Sequence, residues 1–143
     1  MTGSIILDTG ALVAMISRND RHHVWATNIW ATLQPPLLTC DAVIVESCFL
    51  LRNRHGGDDA IFRLFDRNVI QLSFDLAVEH PIIRSLMNQY QSVPMSVADA
   101  CLVRMSELNS NSSVLTLDSD FLIYRKMETK LFKQSCLQTE MLN

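Results

Sequence analysis

Four carboxylates interrupt or end apolar segments of the chain. Asp8 follows Ser4-Ile5-Ile6-Leu7, Glu46 lies within 43–51, Asp99 within 97–103, and Asp118 follows Val114-Leu115-Thr116-Leu117. An acid with apolar or small neighbours on both sides is costly to bury unless something offsets its charge. Taken singly, each has an ordinary role. Asp8 and Asp118 are turn or cap residues, Glu46 belongs on a solvated helix face, and Asp99 pairs with Ser96 in a capping box. Taken together they form a set that would repel itself if clustered, and a divalent cation between them relieves that repulsion. Ligands that are all oxygen suit Mg²⁺ or Mn²⁺ rather than Zn²⁺. The four histidines and four cysteines offer no zinc spacing and no C-x-x-C pair.

These acids need a scaffold that brings them together. Short apolar runs alternate with longer helical patterns, which is the signature of an α/β domain with a largely parallel sheet. Ser4-Ile5-Ile6-Leu7 reads as a strand buried on both faces. A short helix follows over 10–16 and a second over 22–33, stopped by Pro35-Pro36. Leu37-Leu38-Thr39 reads as the second strand. Asp41 is a plausible N-cap for a helix over 42–54, closed by His55-Gly56-Gly57. The next helix carries Ile61, Leu64 and Phe65 on one face. Val69-Ile70-Gln71-Leu72 is the third strand. Asp75 caps a helix bearing Ile82, Ile83, Leu86, Met87 and Tyr90, which Pro81 should kink or restart. Ser96 and Asp99 form an acidic capping box for a helix to Leu108, with Val97, Cys101, Met105 and Leu108 facing inward. Val114-Leu115-Thr116-Leu117 is the fourth strand. Asp120 caps a short helix to Lys126, and Lys130-Leu131-Phe132 is a fifth, edge strand. Aspartates at the ends of two strands converge if those strands are neighbours, because open α/β sheets bind ligands beyond the carboxyl ends of their strands.

Length and composition fit a single domain over 1–143, with the tail after about 133 left unassigned. The 48% hydrophobic content and only four Gly and four Pro exclude a disordered or collagen-like chain. No apolar run approaches a membrane span, and no signal peptide is expected. The net charge of −3 argues against holding nucleic acid by bulk charge, though not against one local contact site. Candidate local cations are Arg18, Arg21, Arg52, Arg54, Arg104, Arg125 and Lys126. Trp25 and Trp30 are expected in the core or an interface rather than stacked on bases. Cys40, Cys48, Cys101 and Cys136 read as free thiols of a reducing, cytoplasmic protein.

The segments around the acids resemble the PIN domain family. Ile5-Ile6-Leu7-Asp8-Thr9-Gly10-Ala11-Leu12 is similar to the family's opening. Val43-Ile44-Val45-Glu46 matches its second acidic segment, Pro94-Met95-Ser96-Val97-Ala98-Asp99-Ala100 its third, and Leu115-Thr116-Leu117-Asp118-Ser119-Asp120-Phe121 its fourth. Within the family the chain most resembles the small ribonuclease toxins of VapBC toxin–antitoxin modules.

The resemblance implies a three-layer α/β/α sandwich around a five-stranded, mainly parallel sheet, with the first and fourth strands adjacent. It also implies an Mg²⁺- or Mn²⁺-dependent endoribonuclease acting on RNA. Asp8, Glu46, Asp99 and Asp118 carry over to the catalytic quartet. Asp8 and Asp99 are the expected direct metal ligands. Glu46 is a ligand or the base that holds and deprotonates a water, and Asp118 and Asp120 bind through water. Which of those two is the fourth acid stays open. Thr9 and Thr116 match positions that orient an acid or a water. An antitoxin protein and a homodimer are the implied partners, and seven methionines leave apolar side chains for such interfaces. A solitary PIN ribonuclease in RNA processing and an inactive PIN-like interaction module are the alternatives. A dehalogenase-type phosphotransferase would need an aspartate where Gly10 stands.

Overall fold

The computed structural model describes residues 3–117 and 130–132. In chain order the elements are β1 (Ser4–Leu7), α1 (Thr9–Ile16), α2 (His23–Trp30), β2 (Leu37–Thr39), α3 (Asp41–Leu50), α4 (Gly57–Asp66), β3 (Ile70–Leu72), α5 (Leu76–Gln89), α6 (Val97–Leu108), β4 (Ser112–Leu115) and β5 (Lys130–Phe132). The continuous stretch 3–117 supplies four strands of the sheet, in the order β3-β2-β1-β4. The short β5 adds to the free side of β4 from beyond a segment outside the described residues. Every strand pair is parallel.

β1 sits at the centre because Ile5, Ile6 and Leu7 are all apolar and buried, as a strand covered on both faces requires. It pairs with β4 from Ser4↔Ser112 to Leu7↔Leu115 and with β2 at Ile6↔Leu38. The chain steps from β1 to β2 to β3 in one direction, then returns to β4 on the other side of β1. Right-handed crossovers therefore place α1 to α4 on one face and α5 and α6 on the other. The packing agrees for most pairs: α1 lies against α2, α3 and α4, and α6 lies against α5, β1 and β4, while α3 and α6 also meet. The strand order reverses between β1 and β4, which makes their carboxyl ends the natural crevice of the sheet.

Several boundaries differ from the sequence reading. α2 ends at Trp30, because residues beyond it close in tight turns, with Thr32 N bonded to Ile29 O and Leu33 N to Trp30 O. α3 starts at Asp41, with Cys40 as N-cap, so Asp41 serves the first turn instead of capping it. It ends at Leu50, and Gly56 then adopts a left-handed φ of 72° that suits glycine. α5 runs unbroken through Pro81, with Asp75 Oδ1 accepting from Ala77 N. β4 lies two residues earlier than expected. Ser112 and Ser113 are small enough to be buried opposite β1, and pairing with β1 ends at Leu115. Asp118 is therefore not the residue directly after the strand. Cys101 and Met105 face inward, but Val97 and Leu108 are exposed at the two ends of α6.

The capping box at the start of α6 is present in full: Asp99 N donates to Ser96 Oγ and Ser96 N donates to Asp99 Oδ2, each at 3.0 Å. Ser96→Ala removes one of these bonds and is expected to cost about 1 kcal/mol, or a few degrees of Tm, in thermal unfolding. An unchanged Tm would show that the cap does not hold this helix end.

Cys40, Cys48 and Cys101 are free thiols, and Cys136 lies outside the described residues. Hydrogen bonding between the buried Cys40 and Cys101 lowers the Cys40 pKa and, with burial, raises that of Cys101. Among the described residues no helix is long and apolar enough to cross a membrane.

Candidate active site

Asp8 leaves the end of β1 and is the N-cap of α1. It is buried, and two short hydrogen bonds fix its carboxylate. Thr9 N donates to Oδ1 at 2.6 Å, and Thr116 Oγ1 donates to Oδ2 at 2.5 Å. The second bond follows from the sheet, since register Leu7↔Leu115 brings Asp8 level with Thr116. Asp8 N also donates to Leu115 O, the last link between the two strands. The backbone before Asp8 is held from the opposite side by Thr39, whose hydroxyl donates to Leu7 O at 3.1 Å. The sequence reading missed Thr39. Its one signal there was a polar residue closing an apolar strand.

Glu46 comes from α3 and Asp99 from the third position of α6. With Asp8, Thr9, Gly10, Leu50 and Leu117 they line one cleft of about 300 Å³. Three elements that start at the carboxyl edge of the sheet thus bring three of the expected acids together. Asp118 and Asp120 lie outside the described residues. Among the described residues no three acidic, histidine or cysteine side chains converge as a ready metal cage.

The electrostatics of the cleft show in Glu46. Its pKa is raised, first by burial of the carboxyl and then by the negative charge of Asp99, and the Thr9 hydroxyl offsets part of the rise. That hydroxyl is buried and makes no hydrogen bond of regular geometry. Because the folded state holds its Glu46 proton to higher pH than the unfolded chain, stability falls as pH rises through the window from the ordinary Glu value to the raised one. In metal-free buffer, Glu46→Gln is therefore expected to match wild type below that window and to be the more stable above it. Urea midpoints measured across the window check this. A wild-type advantage above it would contradict the reading of Glu46.

The candidate cations divide. Arg104 is committed to Glu79, at 2.7 Å, and to Glu107, so it braces α5 against α6. Arg52 lies over the Phe49 ring and donates to Phe49 O, and Arg21 donates to His22. Arg18 and Arg54 line a second cleft. Arg125 and Lys126 lie outside the described residues. Trp25 and Trp30 are in the core, as expected.

A family model for the PIN domain matches residues 5–127. Among solved structures, the fold is similar to a Mycobacterium tuberculosis protein described as VapC20, a sarcin-ricin loop cleaving toxin. The TM-score is 0.73 at 22% sequence identity, over 88% of this chain and 98% of that one. No curated protein matches the chain by sequence. The family match takes in β1, the three described acids of the cleft and the segment beyond β4, and on that span the chain belongs to the PIN domain family.

Proposed function

We propose that this chain is an Mg²⁺- or Mn²⁺-dependent endoribonuclease and the toxin of a toxin–antitoxin pair. The observation that carries the proposal is the meeting of Asp8, Glu46 and Asp99, from three separate elements, in one cleft at the β1/β4 switch point. Family membership and the fold likeness to a toxin that cleaves RNA support it.

The residues fit a hard divalent cation. The donor set is all oxygen, burial and then the charge of Asp99 raise the Glu46 pKa, and the buried Thr9 hydroxyl makes no hydrogen bond of regular geometry. Mg²⁺ commonly takes one or two carboxylates and fills its shell with water and substrate oxygens, so it does not require a closed protein cage. Asp8 and Asp99 would hold the ion, with Asp118 and Asp120 contributing through water. Bound there, the cation supplies Lewis acidity toward water and toward the phosphodiester. Thr116 and the Thr9 N–H fix the Asp8 carboxylate in one orientation, so no reorganisation is needed when substrate arrives. Glu46 holds the attacking water and takes its proton.

The test is incubation of the purified protein with end-labelled single-stranded RNA, and with DNA of the same sequence, in Mg²⁺. Internal cleavage of the RNA alone is expected. Cleavage of neither strand, with the ion present, would overturn the proposal.

The same reading includes two partners. Val45 and Phe49 on α3, and Val78 and Ile82 on α5, are exposed apolar pairs at helical spacing that suit a second copy of the chain. Light scattering that finds only monomer would refute the homodimer. An antitoxin whose Arg or Lys pairs with the cleft acids should stop cleavage when titrated in.

A further inference from the structure

Beside the acid cleft lies a second one of opposite character. It has a volume of about 440 Å³ and is lined by Arg18 and Asn19 after α1, by Leu51 and the Arg54-His55 turn after α3, and by the start of α4. No carboxylate lines it. Among the described residues the side chains of Arg18, Arg54 and His55 make no ion pair or hydrogen bond, although the Arg54 backbone is bonded to Leu51 O and Gly57 N. Of the acids nearest in sequence, one is ion-paired and two accept backbone hydrogen bonds. Asp59 pairs with Arg63 at 2.9 Å, Asp58 Oδ1 accepts from Asp59 N, and Asp20 Oδ1 accepts from His22 N. In a chain of net charge −3, two guanidinium groups and an imidazole thus line one cleft that has no carboxylate in its wall. Two guanidinium groups lining one cleft suit an anion, and guanidinium groups match phosphate oxygens in shape and donor geometry.

The placement selects the anion. Thr9 and Gly10, at the start of α1, line the acid cleft, and Ile16 and Ser17, at its end, line the basic one. Likewise Leu50 lines the first and the adjacent Leu51 the second. Along α1 the two clefts are roughly 9 Å apart, from a rise of 1.5 Å per residue. A single strand spans that distance within a few nucleotides.

We propose that the Arg18–Arg54–His55 cleft is a phosphate subsite that holds the RNA backbone to one side of the bond cleaved at Asp8, Glu46 and Asp99. The subsite rests on the ribonuclease reading, and it gives an acidic protein the local positive charge that its overall composition lacks.

The experiment is fluorescence anisotropy with a labelled oligoribonucleotide long enough to span both clefts, in chelator so that nothing is cut. Arg18→Ala with Arg54→Ala removes two phosphate contacts. The slope of log affinity against log salt should become shallower by about 1.4, so that the loss of affinity relative to wild type is roughly 25-fold greater at about 0.1 M salt than at about 1 M. Arg18→Lys with Arg54→Lys should keep the slope. A matched loss of charge elsewhere, Arg67→Ala with Arg84→Ala, should also keep it. An unchanged slope in the alanine pair overturns the subsite, and RNA cleavage by wild type in Mg²⁺ decides the ribonuclease reading separately. Loss of slope in both double-alanine variants alike also overturns it, because the effect would then be general charge.

Discussion

Asp8→Asn is expected to lower RNA cleavage by at least about 10²-fold, the usual scale for losing one preorganised electrostatic group in an active site. The fold should survive. The asparagine oxygen still accepts from Thr9 N and still caps α1, and asparagine is as good an N-cap as aspartate. Thr116 can rotate its hydroxyl to accept from the new amide. One like charge leaves the cleft, so the metal-free variant should be no less stable than wild type. Asp8→Ala separates the two roles of this residue. It loses the same activity, and in addition the cap and the partner of a buried hydroxyl, together about 1–3 kcal/mol. Activity near wild type in the folded Asp8→Asn protein would remove Asp8 from the site.

Asp99→Asn should cost a similar factor of at least about 10² for the same reason. Here too the structural role is preserved, because the amide oxygen accepts from Ser96 N and the Ser96 hydroxyl still accepts from the backbone. Asp99→Glu tests position rather than charge. The longer side chain keeps the carboxylate but moves it by about an ångström, enough to lose roughly 10²-fold if the reacting geometry is tight. The double variant Asp8→Asn with Asp99→Asn should fall little below either single one, because groups that act as a unit are not additive. Multiplied losses would mean that the two aspartates serve separate steps. Far-UV circular dichroism of each variant should match wild type.

Much of this site is legible in the amino-acid sequence. β1 stands where its unbroken apolar run placed it, and the α6 boundaries follow from Ser96, Asp99 and the apolar pattern between them. Local signals suffice there, because burial and capping act within a few residues. Other features depend on contacts distant in sequence. The strand reads from Val114 in the sequence, yet Ser112 and Ser113 before it pair with Ser4 and Ile5 and are buried. Arg104 looked available for RNA until the fold set it against Glu79, on a different helix. Thr39 supports Leu7 across a strand pair that no spacing rule reveals. The basic cleft was visible only as scattered arginines, because the ends of α1 and α3 meet through packing. The fourth acid, Asp118 or Asp120, falls outside the described residues.

In the proposed chemistry the carboxylates act through a divalent cation. The direct measurement is the initial rate of RNA cleavage by chelator-stripped protein as Mg²⁺ or Mn²⁺ is returned. The expected result is no cleavage in chelator and a rate that rises and saturates with the ion, at least about 10²-fold lower throughout for Asp8→Asn. A full wild-type rate in excess chelator would contradict the account.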